Sequence, residues 1–259
     1  MIKKTLTSIV FIFIFVFSCL STYGQDTQKP QLFFVEDFVL KPSEIENFQE
    51  TIKQFLNLFE EHNFKYPVNS YITSDFHMYF TFPLQGMSDV EKIFAEVDVL
   101  AEKVGIPKWS ELHDAEFQAT ESYQFGLYYL RPDLSYIPEN PRLSPEESVF
   151  LEWEFMYIKP GMDMKAEEIW KEWVELYKKK GITDPYYCWV GFIGPELPLY
   201  IFTFFGKDHV DIHEANAAIV EKIGDEGDAL YEKTMNLIKK TEHKSGNVLQ
   251  DLTYTPEKD

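Results

Sequence analysis

Cysteine is almost missing from this chain of 259 residues: there are two, Cys19 and Cys188. Cys19 falls inside an N-terminal segment with the grammar of a secretory signal, so a processed chain keeps only Cys188, and an intramolecular disulfide is excluded. Cationic tracts are also missing. Lys and Arg number 24 against 43 Asp and Glu, for a net charge of −19, and both halves are acidic, which disfavours a nucleic-acid partner because nothing is available to neutralise phosphates. There is no phosphate loop, no dinucleotide fingerprint and no nucleophile elbow, which disfavours the enzyme classes marked by those motifs. After the first 24 residues no apolar run is long and charge-free enough to span a membrane as a helix.

Residues 1–24 read as a signal peptide, with Lys3 and Lys4 as its basic end and Ile9 to Phe17 as its apolar run. Cleavage before Gln25 would export the chain to a periplasmic or secreted location. A competing cut before Cys19 would leave a lipid anchor on that cysteine, although Phe17 is bulky for a lipoprotein signal. Rings are abundant: aromatic residues make up 17% of the whole sequence. Most of them must be buried.

The most informative feature is repetition. The heptapeptide DLSYIPE at 133–139 returns as DLTYTPE at 251–257, 118 positions later. FVLKP at 38–42 and MYIKP at 156–160 keep that offset, as do Pro67 and Pro185; Val104-Gly105 and Ile223-Gly224 stand 119 apart, and YFTF at 79–82 and IFTF at 201–204 stand 122 apart. An ordered series of this kind marks a duplicated unit, which divides the chain into 25–145 and 146–259.

In the first copy Leu32–Leu40 reads as a strand. Ser43 with Glu46 has capping-box spacing, and Ile45, Phe48, Ile52, Phe55, Leu56 and Phe59 form a helical stripe. Val68–Thr73 and Phe76–Phe82 read as a hairpin. Ser88 with Glu91 repeats the capping-box spacing before a second helix that stops at Gly105. A short helix over 110–120 and a strand over 123–130 close the copy. The second copy repeats the order, with a strand near 151–158, a helix near 164–180, a hairpin near 185–205, helices within 209–243 and a last strand near 247–254. Each copy is therefore βαββαβ with an extra helix, an α+β ferredoxin-like unit.

The strands are apolar on both faces: Met78, Phe80 and Phe82 oppose His77, Tyr79 and Thr81, and Tyr186, Cys188 and Val190 oppose Tyr187 and Trp189. Two such sheets can hide their bare faces against each other. In element order and duplication the chain resembles the dimeric α+β barrel superfamily in its tandem form, and the resemblance implies a pseudo-two-fold barrel with a cavity between the sheets. Superfamily members include cofactor-independent monooxygenases, haem-handling proteins and decarboxylating enzymes.

Glu36 and Glu154 are equivalent at offset 118; facing each other inside a barrel they would be paired carboxylates suited to acid–base work, and at its rim they would be ordinary solvated residues. His77 is a candidate general base or haem ligand, with Tyr71, Tyr79, Tyr187 and Trp189 shaping an apolar ligand site around it, or else a strand histidine satisfied by a neighbour. No other cofactor is indicated. His209 and His213, four apart on an acidic helix start, are too few for a metal site, and Cys188 has the surroundings of a core residue. Three functions fit: an exported protein binding a small apolar or aromatic ligand without turnover, a cofactor-independent monooxygenase or isomerase, or an interaction module with a filled barrel.

Overall fold

A computed structural model describes residues 29–194 and 196–257; the signal segment, with Cys19, lies outside them. The first copy runs β1 (Gln31–Leu40), α1 (Ile45–Glu61), β2 (Asn69–Thr73), β3 (His77–Leu84), α2 (Ser88–Val104), α3 (Ile106–Ala119) and β4 (Thr120–Leu130). The second runs β5 (Phe150–Ile158), α4 (Asp163–Lys180), β6 (Tyr186–Ile193), β7 (Leu199–Gly206), α5 (His209–Met235) and β8 (Ile238–Val248). These eight strands close into one antiparallel barrel, in the order β1-β3-β2-β8-β5-β7-β6-β4. Each copy contributes a ferredoxin-like half with its helices on the outside, as the duplication predicts. None of the described helices is long and apolar enough to cross a membrane.

The period of two along each strand decides which side chains go where. Leu32, Phe34, Phe38 and Leu40 of β1 join Met78, Phe80, Phe82 and Leu84 of β3 beneath Phe48, Ile52 and Phe55 of α1, all buried. In the second copy Met156, Ile158, Tyr200 and Phe202 lie under Ile169 and Trp170 of α4. Burying one such phenylalanine stabilises the fold by roughly 1.5–3 kcal/mol. The intervening residues point inward. There Tyr157, Leu199 and Ile201 are buried against Tyr128, Trp153, Phe155 and Trp189, and rings meet across the interior, Phe33 on Trp189 at 4.9 Å and Tyr187 on Phe205 at 5.3 Å.

Three local expectations are corrected. Ser43 and Glu46 do not form a capping box, because the chain leaves β1 through a one-turn 3-10 helix, Pro42–Glu44, and α1 starts at Ile45 with no side-chain cap. Ser88 is likewise already helical, preceded by Met87; the carboxylate of Asp89 reaches back instead to accept from the Gln85 N–H at 2.7 Å. The last strand is Ile238–Val248, not 247–254. Its sequence, IKKTEHKSGNV, has little apolar signal, and it is a strand because β2 and β5 hydrogen-bond it on both sides. The offset from β4 to β8 is then 118 at both ends. Gly224, at φ 54° and ψ −146°, breaks α5 where Gly105, at φ 92°, separates α2 from α3.

The repeated heptapeptides have a shared task. Each comes after the last strand of its own copy and pairs with the other copy. Tyr136 bridges to Tyr186, and Tyr254 bridges to Val68. The Tyr136 hydroxyl donates to the Ile182 carbonyl at 2.8 Å and the Tyr254 hydroxyl to the Phe64 carbonyl at 2.7 Å. Just upstream, the Arg131 N–H donates to the Cys188 carbonyl and the Leu249 N–H to the Ser70 carbonyl, both at 2.9 Å. Every pair is the image of the other at offset 118. The tails are thus exchanged, and with the β4–β6 and β8–β2 pairings they close the barrel at two equivalent seams. At one seam β8 comes so near β2 that a Cβ on Gly246 would lie 1.9 Å from the Ile72 carbonyl oxygen.

Candidate functional site

His77, Tyr71, Tyr79, Tyr187 and Trp189 all lie on strand faces that line the barrel interior, as the strand patterns imply. The interior holds a polar chain: His77 Nδ1 is 2.7 Å from Oδ1 of Asp37, whose other oxygen accepts from Gln124 Nε2 at 2.9 Å. Asp37 is buried, and Tyr79 stacks on the His77 ring at 5.7 Å. Burial pushes the Tyr79 phenol well above its ordinary range, and the negative charges of Asp37 and Asp75 push the same way. His77 Nε2 lies 3.7 Å from Asp75. Both ring nitrogens therefore face carboxylates, which orients the imidazole but leaves neither nitrogen directed at an iron atom. Tyr71 and Tyr79 flank Trp153, at 6.2 and 6.4 Å.

Glu36 and Glu154 are not brought together. Glu36 is opposite Phe80 and Phe125, and Glu154 is opposite Phe202 and His243. Both thus point away from the barrel, each into the helix–sheet layer of its own copy, with the barrel wall between them. The reason is parity: Phe34 and Phe38 turn to the helices, and so must residue 36. Desolvation pushes the Glu36 carboxyl up to about 8, assisted by the charge of Glu116. Burial also raises Glu154, and His243, with Nε2 3.9 Å away, pulls it back.

Around Glu154 the layer is hollow. A cavity of about 590 Å³ lies between α4, α5 and the outer face of β5–β8, walled by Trp170, Trp173, Tyr177, Tyr186, Phe202 and Phe204, with Glu154 and His243 also lining it. Equivalent positions explain the space. Phe34 is matched by Glu152 and Phe125 by His243, both at the cavity wall, so two phenyl groups are missing there; buried Phe48 is matched by buried Ala166, with Trp170 in place of Ile52 one turn on. Two buried polar atoms in this wall, Trp170 Nε1 and Tyr186 Oη, have no hydrogen-bond partner among the described residues, whereas Trp173 Nε1 donates to Thr234 at 3.0 Å. Burial keeps the phenols of Tyr177 and Tyr186 protonated, holding both well above the ordinary range. Sequence reasoning missed this site; the signal was the replacement of Phe34 and Phe125 by Glu152 and His243 between aligned copies.

The cavity has room for a flat ring system such as a haem, but its lining offers no suitable axial ligand. His243 is the histidine of the wall, yet its side chain is 70% exposed at the rim and beside Glu154, and the deep tyrosines are neutral phenols without a cation to ionise them. The lining does not fit a haem held through a protein side chain. His209 and His213 stack at 6.4 Å at the start of α5; Asp208 there accepts the Asp211 N–H, and the Asp211 carboxylate is taken by Arg142. The Cys188 thiol is buried and raised by burial, the state of a core residue.

No protein-family model matches the sequence, and no curated protein does. Solved structures do. An anthrone oxidase-like protein is similar at a TM-score of 0.56 with 10% identity, over 90% of this chain and 95% of that one. A protein put forward as a monooxygenase, from Lactobacillus acidophilus NCFM, gives 0.53 with 8% identity, over 88% and 97%. Another, from Fusobacterium nucleatum, gives 0.53 with 11% identity, over 86% and 94%. At such identities the likeness is one of fold: a pseudo-two-fold antiparallel barrel with both ferredoxin-like halves in one chain.

Proposed function

We propose that the protein is an enzyme of the cofactor-independent monooxygenase or isomerase kind, acting on a small aromatic carbonyl compound held in the helix–sheet cavity of the second copy. The observation that carries this is a carboxyl, Glu154, at the wall of an aromatic cavity that desolvates it. A raised pKa makes its anion a stronger base, and a base near the working pH is what proton abstraction beside a carbonyl requires. The orphan donors of Trp170 and Tyr186 supply hydrogen bonds suited to the oxygen on which negative charge then develops. In oxygenation the substrate CH₂ becomes C=O; one atom of O₂ enters the product and the other leaves as water with the two hydrogens. In isomerisation the abstracted proton returns at another carbon. His243 is placed to exchange the proton of Glu154 with solvent. The fold shared with an oxidase-like protein and with proposed monooxygenases supports the choice of chemistry.

The test is oxygen uptake with anthrone as probe, read with quinone formation. Uptake and product should rise together one to one, and Glu154→Gln should slow turnover by about 10²–10⁴-fold, the usual contribution of a positioned base. A second reading, ligand binding without turnover between the sheets near His77, Tyr79, Tyr187 and Trp189, draws on the His77–Asp37–Gln124 chain. Saturable binding that is lost in His77→Ala and unaccompanied by oxygen uptake would favour it. A haem spectrum abolished by His243→Ala would replace both with a haem protein.

A further inference from the structure

The Glu36 carboxyl makes no hydrogen bond and no ion pair with any described residue, although the groups around it are almost all apolar. It lies between Phe34 and Phe38 on β1, with Phe80 opposite on one side and Phe125 on the other. Above it, four large rings remain open to solvent: Phe94 at 45%, Phe117 at 47%, Tyr123 at 51% and Phe125 at 42%. They are contiguous. Phe34 meets Phe94 at 5.8 Å and Phe125 at 5.5 Å, Tyr123 meets Phe125 and Phe117 at 5.5 Å, and Tyr123 stacks on Phe38 at 5.9 Å. A second buried carboxylate, Glu116 of α3, faces the same space, with one oxygen 2.9 Å from His113 Nδ1. Exposed rings in a contiguous group mark an interaction surface. A carboxyl without a partner at the floor of that surface defines the chemistry of what completes it.

We propose that the first copy carries its own ligand site, distinct from the Glu154 cavity, which binds an organic ammonium ion with an apolar body, its charge against Glu36 and its body among Phe94, Phe117, Tyr123 and Phe125. A cation supplies what the Glu36 carboxyl lacks, and ring faces attract cations, most strongly when desolvated. A neutral apolar ligand would leave the carboxyl unsatisfied, and an anion would meet two carboxyl groups of a chain with a net charge of −19. The second copy cannot present the same site, since Phe94 and Phe125 correspond there to His213 and His243.

Proton linkage gives the site a signature. With its carboxyl pushed up to about 8, Glu36 is protonated at pH 6–7, and a cation must displace that proton. The titratable groups facing it are Glu116 and His113 of α3 and Glu121 and Tyr123 of β4. Residues facing it from α1 (Phe48, Ile52), α2 (Ile93, Phe94, Val97) and β3 (Met78, Phe80) do not titrate. Affinity for a permanent cation should therefore rise about tenfold per pH unit below 8 and flatten above it.

The experiment is calorimetric titration of the purified protein with benzyltrimethylammonium and with its neutral isostere neopentylbenzene, at pH 6 to 9 and in buffers of different ionisation enthalpy. Expected are one site, release of up to one proton at pH 7, and at least tenfold preference for the cation at pH 8.5. Glu36→Gln should remove both the preference and the proton release, His113→Gln should keep the rise above pH 7, and Glu154→Gln should leave cation binding and its proton release as in the wild type. Equal binding of the isostere, a pH slope that survives Glu36→Gln, or loss of binding in Glu154→Gln alone would overturn the proposal. So would the absence of cation binding at every pH, including the case where light scattering shows a dimer in which a second copy covers the rings.

Discussion

At one place in each copy the helix after the first strand turns a side chain into the helix–sheet layer. In the first copy it is Phe48, fully buried against Phe38 and Phe80 at 5.5 and 6.3 Å. In the second it is Ala166, equally buried but far smaller. The order of elements is the same in both copies; beside Ala166, Trp170 packs on Phe202 at 4.9 Å, and towards the rim, where Glu152 and His243 stand in place of Phe34 and Phe125, the second copy encloses about 590 Å³. A layer can be hollowed by a few large-to-small replacements without altering topology, because strand pairing is held by backbone bonds that do not depend on the outer side chains. Glu36 and Glu154 keep their places in both layers. What differs is the neighbour at the rim, Phe125 in one and His243 in the other, and that sets how each carboxyl is screened.

The largest test of this contrast is Phe48→Ala, which should cost about 3–5 kcal/mol in chemical denaturation because it opens a hole where none is used. The converse, Glu152→Phe, which restores the ring of Phe34 at the cavity wall, should cost much less while abolishing ligand binding in the second copy; equal costs would break the comparison. Next is Glu36→Gln. A carboxyl raised in the folded state favours folding when protonated, so wild-type stability falls as pH climbs from about 4.5 through about 8. The variant should gain about 1–3 kcal/mol over wild type at pH 8.5 and almost nothing at pH 4; denaturation curves at the two pH values decide. Smaller again, Tyr136→Phe and Tyr254→Phe should each cost about 1–2 kcal/mol by stranding a buried carbonyl, and by nearly the same amount, since the two tails are images of each other. Smallest is Tyr186→Phe, which removes an orphan hydroxyl and should raise the melting temperature slightly, by the equivalent of about 1 kcal/mol. A loss of stability there would show that the hydroxyl has a partner.

The barrel was legible in the sequence because it is written twice: matched offsets set the order of elements, and apolar alternation on both strand faces required a second sheet. The strand β8 was not legible. Lys239, Lys240, Glu242, His243 and Lys244 carry no strand signal, and only the two flanking partners make that segment extended. Capping boxes failed for a related reason, since Pro42 and Met87 lead into their helices through backbone turns that need no side chain. At the candidate site the inward set around His77 came from period-two counting. The direction of Glu36 did not, because an acidic residue within a run of phenylalanines gives no parity of its own until its neighbours are assigned. The cavity of the second copy was present in the alignment of the copies, as Phe34 over Glu152 and Phe125 over His243, but volume is a property of facing elements and cannot be read along one of them.

The exchanged tails bear on how the two copies came to differ. When two identical chains associate, every substitution appears twice, and a change that empties one layer empties both. Here the partner lies in the same polypeptide, held by Tyr136 on one side and Tyr254 on the other, so the pair assembles at any dilution and each half can accept changes that its twin never sees. Covalent fusion thereby removes the symmetry constraint on the interior while the interlocked ends preserve it at the seams. The shared register of the tails stands where the halves must still fit each other, and the divergence of Phe34 from Glu152 stands where they need not.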